Sequence, residues 1–465
     1  MREPKIIVRK DRLIKIIAIF AKRRTGFIEM KLSNKVRIID LFAGIGGIRC
    51  GLEAALQEEG YISECVFTSE IKPHAISVLS QNHPKETITG DITQVKPSSI
   101  PDFDILCAGF PCQTFSSAGK RQGFADTRGT MFFYVEKIIE EKVPVGFILE
   151  NVEGLVNHDK GNTLRIILEH LNNLKHNGKP LNYKVSFKVL NSADFGVAQE
   201  RKRIYIVGSL NDYVDLDNFE KRTSVLGDIL ESGLPVQTTA FTTRLFQYYK
   251  PEELYGKAIK DKRGGVNNIH SWDIELKGKV SKEQKLLLNK LLRERRKKQW
   301  AEIIGIDWMD GMPLTLNQIR TFADQENLQE MLDDLVAKGY LKFEHPKKLI
   351  KSITTDGHTT TRREYDLSKP KGYNIVAGKL SFEVAKILNP NEVAPTLVAM
   401  DMQKLYVVDN GGIRRLSLRE GLRLCGYPET YKFDIKELDG FDLLGNTVVV
   451  PVIKSVAKRL IATLK

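Results

Sequence analysis

The sequence predicts an α/β chain: a doubly wound parallel sheet joined to a second, less regular domain. Three observations carry that reading. From residue 36 to about 210, β-branched apolar runs alternate with amphipathic stretches, the pattern of strand–helix repeats in a parallel sheet. From 211 to 393 the chain is more charged and less periodic. Regular spacing returns from 394 to 465. The expected organisation is a basic extension (1–35), a sheet domain (36–210), a second domain (211–393) and a return segment (394–465) that completes the first domain.

The elements follow in order. "VRIIDLF" is a strand ending in "AGIGG", and "IRCGLEAALQEE" is a helix by its apolar spacing. "ECVFTSE" is the second strand, and "PHAISVLSQN" is a helix with Pro73 near its start. "DILCAGF" is the third strand. "MFFYVEKIIEE", "VGFILENV" and "TLRIILEHLNNL" give helix, strand and helix, and "KVSFKVLNS" and "RIYIVG" close the series as strands. In the second domain, Ser281 and Gln284 stand in capping-box spacing and start one helix over Ser281–Trp300. "TLNQIRTFAD" and "LQEMLDDLVAKGYL" are two further helices, with Thr315 and Gln318 repeating the box and Gly339 as a stop. "KLIKSITTDGHTTTRREY" is a hairpin turning on Asp356–Gly357. Helix, helix and basic hairpin together suggest a winged-helix unit, the alternative being a packing module without DNA contact. "RRLSLREGLRLCGYP" reads as helical, and "LLGNTVVVPVIKSVAKRLIATL" as a loop followed by a closing helix.

Composition narrows the function. The 465 residues are 42% hydrophobic and 28% charged, as in soluble globular proteins. A net charge of +13 favours a polyanionic partner, nucleic acid first. The five cysteines form no CxxC pair and no metal-ligand spacing with the histidines. No disulfide framework and no metal site are expected, and the compartment is reducing. No apolar run reaches the ~18 residues of a membrane span, and the start lacks a signal-peptide core. The expected location is the cytoplasm.

Several residues sit where a parallel sheet binds ligands, beyond the carboxyl ends of its strands. "DLFAGIGG" offers backbone approach and a helix start. It fails the GxGxxG fingerprint because Arg49 takes the third glycine position, which disfavours a nicotinamide cofactor. Glu70 ends the second strand, suited to a ribose hydroxyl pair, and Asp91 in "GDIT" suits an adenine amine. Cys112 in "GFPCQTFSSAG" follows a strand end and Pro111 among polar neighbours, as an accessible thiolate nucleophile needs. Cys107 and Cys425 read instead as packed small hydrophobes. Glu150 in "ENV" brings a carboxylate to the same sheet edge. "QERKR" places Gln199, Arg201 and Arg203 on one side of an extended chain.

In this order, "DLFAGIGG", Glu70, "GDITQV", "GFPCQTFSSAG", "ENV", "QERKR", "RLSLREGLRLCGYP" and "GNTVVVP" resemble the cytosine-C5 DNA methyltransferases, over roughly 36–210 and 394–465. The resemblance implies a Rossmann-like fold that uses S-adenosylmethionine. It implies that Cys112 bonds carbon 6 of the cytosine and that Glu150 contacts N3 and the amino group. Arg201 would steady the oxygen at position 2, Arg203 would help organise Glu150 and Cys112, and Gln199 belongs to the same catalytic motif. Phe42, Gly44, Gly46, Glu70, Ile71, Asp91, Ile92, Met131, Asn446 and Thr447 match cofactor positions, Ile71 standing where some members have tryptophan. Ser116, Arg128 and Thr396 are the implied DNA contacts. The loop from Gln113 to about Arg128 resembles the family's closing loop, with Ala118 where a known member has a gap-filling serine. The base must be flipped out to react.

Residues 211–393 match none of the shared motifs, and in this family that region reads the DNA sequence. Arg293, Arg295, Arg296, Lys297 and Lys298 are candidates to line DNA, the alternative being a solvated helix face. The expected partner is double-stranded DNA, with the enzyme a monomer and any cognate restriction endonuclease not stably bound. Rival readings are a tRNA cytosine methyltransferase of the same fold and a non-catalytic DNA-binding relative.

Overall fold

The computed structural model describes residues 31–111, 131–262, 264–353, 359–376, 382–399 and 401–465. They fall into two compact units. One runs through Ile229 and takes back Val393–Met400 and Leu418–Lys465; the other holds Leu230–Glu392 and Asp401–Ser417. Against the boundaries drawn from sequence texture, 211–229 goes with the first unit and 401–417 with the second.

The first unit is built on a seven-stranded sheet. Its strands are β1 (Lys35–Leu41), β2 (Ile62–Ser69), β3 (Ile88–Thr89), β4 (Ile105–Ala108), β5 (Gly146–Val152), β6 (Lys184–Asn191) and β7 (Lys202–Ser209), in spatial order β3-β2-β1-β4-β5-β7-β6. Helices α1 (Gly47–Glu58), α2 (Pro73–Asn82), α3 (Met131–Lys142) and α4 (Asn162–Asn172) alternate with the strands. The return segment adds α5 (Leu418–Leu424), α6 (Glu437–Asn446) and α7 (Val450–Ala462).

The sheet is mixed, which corrects the wholly parallel expectation. β1 to β5 are parallel, but β7 runs antiparallel to both β5 and β6. The link between β6 and β7 carries only the short turn Ser192–Asp194. A parallel return needs a crossover of a dozen or more residues, so this link closes as an antiparallel pair.

Apolar side chains fill both faces of the sheet. Leu52 and Leu56 of α1 pack with Ile453, Val456 and Leu460 of α7 on one face. Phe132, Val135 and Ile139 of α3 pack with Leu164 and Ile167 of α4 on the other. The close approach of α7 to α1 requires Gly51, where an added Cβ would lie 2.6 Å from Ile453 Cβ. Glu437–Ala462 is apolar enough to suggest a membrane span, but it is two helices separated by Thr447–Val449 and is mostly buried in this core.

The second unit has a five-stranded sheet in the order Asn268–Ile269, Ala258–Ile259, Lys386–Ile387, Leu405–Asp409, Gly412–Arg415. A helical core surrounds Trp272, Leu288 and Leu332. Both expected capping boxes form: Ser281 Oγ accepts from Gln284 N–H at 3.2 Å and Gln284 Oε1 from Ser281 N–H at 3.0 Å, with Thr315 and Gln318 repeating the exchange. Gly339, at φ +78°, follows the helix Leu328–Ala337. Lys347–Ile353 pairs antiparallel with Thr359–Tyr365 as expected; the Asp356–Gly357 turn lies outside the described residues. This hairpin is its own two-stranded sheet, while Leu341–Glu344 pairs with Gly372–Ile375. These pairings do not by themselves make a winged helix.

Three expectations need correction. The stretch "LLGN", expected as a loop, is the last turn of α6. Ser281–Trp300 is two helices, Lys282–Glu294 and Gln299–Ile304. The break lets Arg295 turn into the core, where it is 2% exposed and donates from Nη1 to Asn374 Oδ1 at 2.8 Å. Arg295 therefore cannot line DNA. Gly311 makes room for it, since a Cβ there would sit 2.0 Å from Arg295 Nη1. In "RRLSLREGLRLCGYP" the helix starts only at Leu418. Gly412–Arg415 is a strand instead, held as Arg414 Nε meets Asp409 Oδ2 at 2.7 Å within a hairpin.

Candidate active site

Strand order reverses between β1 and β4, the place where doubly wound sheets bind ligands. Phe42, Gly44 and Gly46 all take positive φ as the chain turns from β1 into α1. A non-glycine residue held there is strained. A Cβ on Gly44 would meet nothing within 4 Å, so the backbone there is open to a ligand. The start of α1 has no side-chain cap and keeps donors free.

Glu70 is fixed across this turn. Its Oε2 accepts from Gly44 N–H at 2.7 Å, and its Oε1 accepts from Ile71 and Lys72 N–H at 2.8 Å each. Ile71 beside it is 67% exposed. Asp91 Oδ1 accepts from Thr93 N–H at 2.9 Å, with Ile92 buried next to it. The return segment closes the other side. Thr447 is buried with its hydroxyl 2.7 Å from that of Tyr427, and Asn446 is exposed at the end of α6. Gly47 admits this contact, since a Cβ there would fall 2.6 Å from Tyr427 Oη. Met131, half-buried, opens α3. An open glycine turn, an uncapped helix start, a fixed carboxylate and an exposed apolar side chain fit a nucleoside cofactor with a charged tail.

The second cluster sits at the ends of β4, β5 and β7. Glu150, 9% exposed, meets Arg203 Nε at 3.1 Å. Burial pushes its carboxyl above the usual range, and Arg203 and then Arg201 offset part of that rise. Asn151 donates from Nδ2 to Phe110 O at 2.9 Å, both groups buried. That bond anchors the chain two residues before Cys112. A Cβ on Gly109 would lie 3.7 Å from Glu150 Oε2 and 4.0 Å from Phe42 O, so the glycine turn after β1 and the carboxylate converge on Gly109. Cys112, Ser116 and Arg128 lie outside the described residues. An open cleft of about 580 Å³ lies beside Val152, Glu153, Gly154, Glu200, Lys202, Arg203, Pro395 and Thr396.

Gln199 and Arg201 face inward toward the return segment. Gln199 is fully buried, donating to Leu424 O at 2.8 Å and accepting from Leu397 N–H at 3.1 Å. Arg201 donates to Leu397 O and Gly445 O, both at 2.9 Å. Thr396 Oγ1 donates to Glu200 O at 2.6 Å. Gly445 leaves no room for a side chain, since a Cβ there would lie 2.2 Å from Ala399 N. Cys107 and Cys425 are fully buried, as packed hydrophobes should be.

Asn151 and Asp40 are buried polar residues near the site that sequence reasoning did not single out. Asn151 was visible only as the middle of "ENV". Asp40 reads as an ordinary strand acid, yet it is 1% exposed and neither carboxylate oxygen has a hydrogen-bond partner among the described residues. Burial pushes it up to about 8, against a partly offsetting Arg49. Folded Asp40 thus keeps its proton where the unfolded chain has lost it. Its contribution to stability is fully present below about pH 4 and is lost as pH rises through about 8. Asp40→Asn should therefore flatten the fall in stability across that window, by up to about 1.4 kcal/mol per pH unit. Urea titrations of both proteins from pH 5 to 9 test this, and parallel profiles would contradict it.

Comparison with known proteins gives the family. The family model described as C-5 cytosine-specific DNA methylase matches residues 36–462. The chain is 58% identical to the type II methyltransferase M.NlaIV of Neisseria lactamica, over 93% of this chain and all of that one. It is 57% identical to M.NgoBV of Neisseria gonorrhoeae over the same shares, and 38% identical to M.HgiCI of Herpetosiphon aurantiacus over 90% of this chain and 96% of that one. Among solved structures, a prophage-encoded DNA modification methyltransferase from E. coli aligns at a TM-score of 0.50 and 19% identity, over 92% of this chain and 99% of that one; this likeness concerns the fold alone. The chain belongs to the C-5 cytosine-specific DNA methylases.

Proposed function

We propose that the protein transfers a methyl group from S-adenosylmethionine to carbon 5 of a cytosine flipped out of a specific duplex DNA sequence. The observation that carries this reading is buried Glu150 paired with Arg203 beside Gly109, with Asn151 anchoring the chain that leads to Cys112. Carbon 5 of cytosine is a weak nucleophile. The Cys112 thiolate adds to carbon 6, and Glu150 holds a proton at N3 as charge moves into the ring. Arg203 touches Glu150, whereas the Arg201 guanidinium serves the carbonyls of Leu397 and Gly445. The oxygen at position 2 is therefore better matched by Arg203, and Arg201 with Gln199 clasps the return segment. The cofactor, when bound, supplies an electrophilic methyl group. After carbon 5 is methylated and loses its proton, the carbon 6–sulfur bond breaks and Cys112 is regenerated.

Phe42, Gly44, Gly46, Glu70, Ile71, Asp91, Ile92, Met131, Asn446 and Thr447 would hold the cofactor. Ser116, Arg128 and Thr396 would contact DNA, and the second unit would read the site. Its hairpin carries exposed Lys348 and Arg362, and a two-stranded ribbon fits the major groove. The relatives named type II methyltransferases support a modification role beside a restriction endonuclease. Transfer of labelled methyl groups to duplex DNA and to tRNA tests the substrate. Label on duplex DNA alone is expected; label on tRNA alone would favour the rival substrate and overturn the assignment.

A further inference from the structure

We propose that Asp442 is a positioning residue for the cofactor pocket, tying the Glu70–Lys72 turn to the Asn446 end of α6. The proposal rests on the methyltransferase reading of that pocket. The pocket has two walls from distant parts of the chain. One is the turn after β2, where Glu70 gathers the N–H groups of Gly44, Ile71 and Lys72. The other is the end of α6, from the return segment.

Asp442 bridges them. Its Oδ2 accepts from Lys72 Nζ at 2.9 Å and lies 3.4 Å from His74 Nε2. Its Oδ1 and main-chain oxygen both accept from Asn446 Nδ2, at 3.1 and 2.8 Å. A continuous polar path thus runs from Gly44 through Glu70, Lys72 and Asp442 to Asn446. Burial alone would raise the Asp442 carboxyl, but Lys72 and His74 more than offset this and hold it below the usual range. It stays ionised to serve both walls.

The far end of α2 is pinned separately. Gln81 exchanges hydrogen bonds with the Asp434 main chain, and Asn82 does so with that of Lys432. Those bonds dock the return segment without touching a pocket residue. Loss of the Asp442 bridge should therefore leave the segment docked and loosen only the pocket lip.

The test measures binding of S-adenosylhomocysteine by calorimetry in the full chain, beside KM for the methyl donor and kcat. Asp442→Asn should weaken that binding roughly two- to fivefold, the scale of a partly exposed charged tie, and raise KM by more than it lowers kcat. Lys72→Met should do the same, and the double variant should lose no more than either alone, as coupled residues do. Glu58→Gln is the control. It also removes a carboxylate bound to the return segment, through Lys454 and Lys458, and it should bind as the parent does. Parent-like affinity in Asp442→Asn and Lys72→Met, or an equal loss in Glu58→Gln, would overturn the role. No binding by the parent would overturn the cofactor assignment itself.

Discussion

Cys112→Ser is expected to abolish methyl transfer, with a loss on the order of 10⁴-fold or more, while duplex DNA binding is retained. A serine hydroxyl is not ionised near neutral pH, whereas a cysteine thiol approaches ionisation there. The hydroxyl therefore cannot add to carbon 6, and without that addition carbon 5 is not activated. Fold and binding should survive, because the swap changes one atom and the preceding Phe110 is held independently by Asn151. Duplex DNA carrying 5-fluorocytosine at the target gives a direct readout. Fluorine cannot leave as the carbon 5 proton does, so the parent should be trapped as a denaturation-resistant adduct. The variant should show a gel shift but no adduct. Full transfer by Cys112→Ser would remove the covalent route.

Glu150→Gln is expected to lower kcat about 10²- to 10⁴-fold, the usual scale of a positioned acid or base. The amide keeps the shape of the side chain and an oxygen for Arg203 Nε, now 3.1 Å from Glu150 Oε1. It cannot hold and return a proton at N3. Stability should change little, since the substitution also removes the burial cost that raises the Glu150 carboxyl. Single-turnover rates with pre-bound DNA separate chemistry from binding. A variant with weaker DNA binding and an unchanged single-turnover rate would show that Glu150 binds the base without moving a proton.

Local signals in the sequence carried much of the fold. "PHAISVLSQN" is α2 residue for residue, and both capping boxes start the helices they announce. Periodicity could not give the direction of β7, because that depends on the length and content of the link from β6. Nor could it tell that Arg295 leaves a run of cations to enter the core, which becomes visible only with Asn374 and Gly311 around it.

The site divides in the same way. The spacing of "QERKR" put three side chains on one face, but the partners of Gln199 and Arg201 come from the return segment, over 190 residues later, and that of Arg203 from β5. Only those partners separate Arg203, at the carboxylate, from Arg201, at the carbonyls of Leu397 and Gly445. Asp40 escaped notice because burial, not residue type or spacing, makes it unusual.

The measurement that tests the central claim most directly is bisulfite sequencing of plasmid DNA from a methylation-free host expressing this chain, beside the Cys112→Ser variant. The account predicts protected cytosines confined to one short sequence in the parent and absent in the variant. No protected cytosine from folded parent protein, or the same protection with the variant, would contradict it.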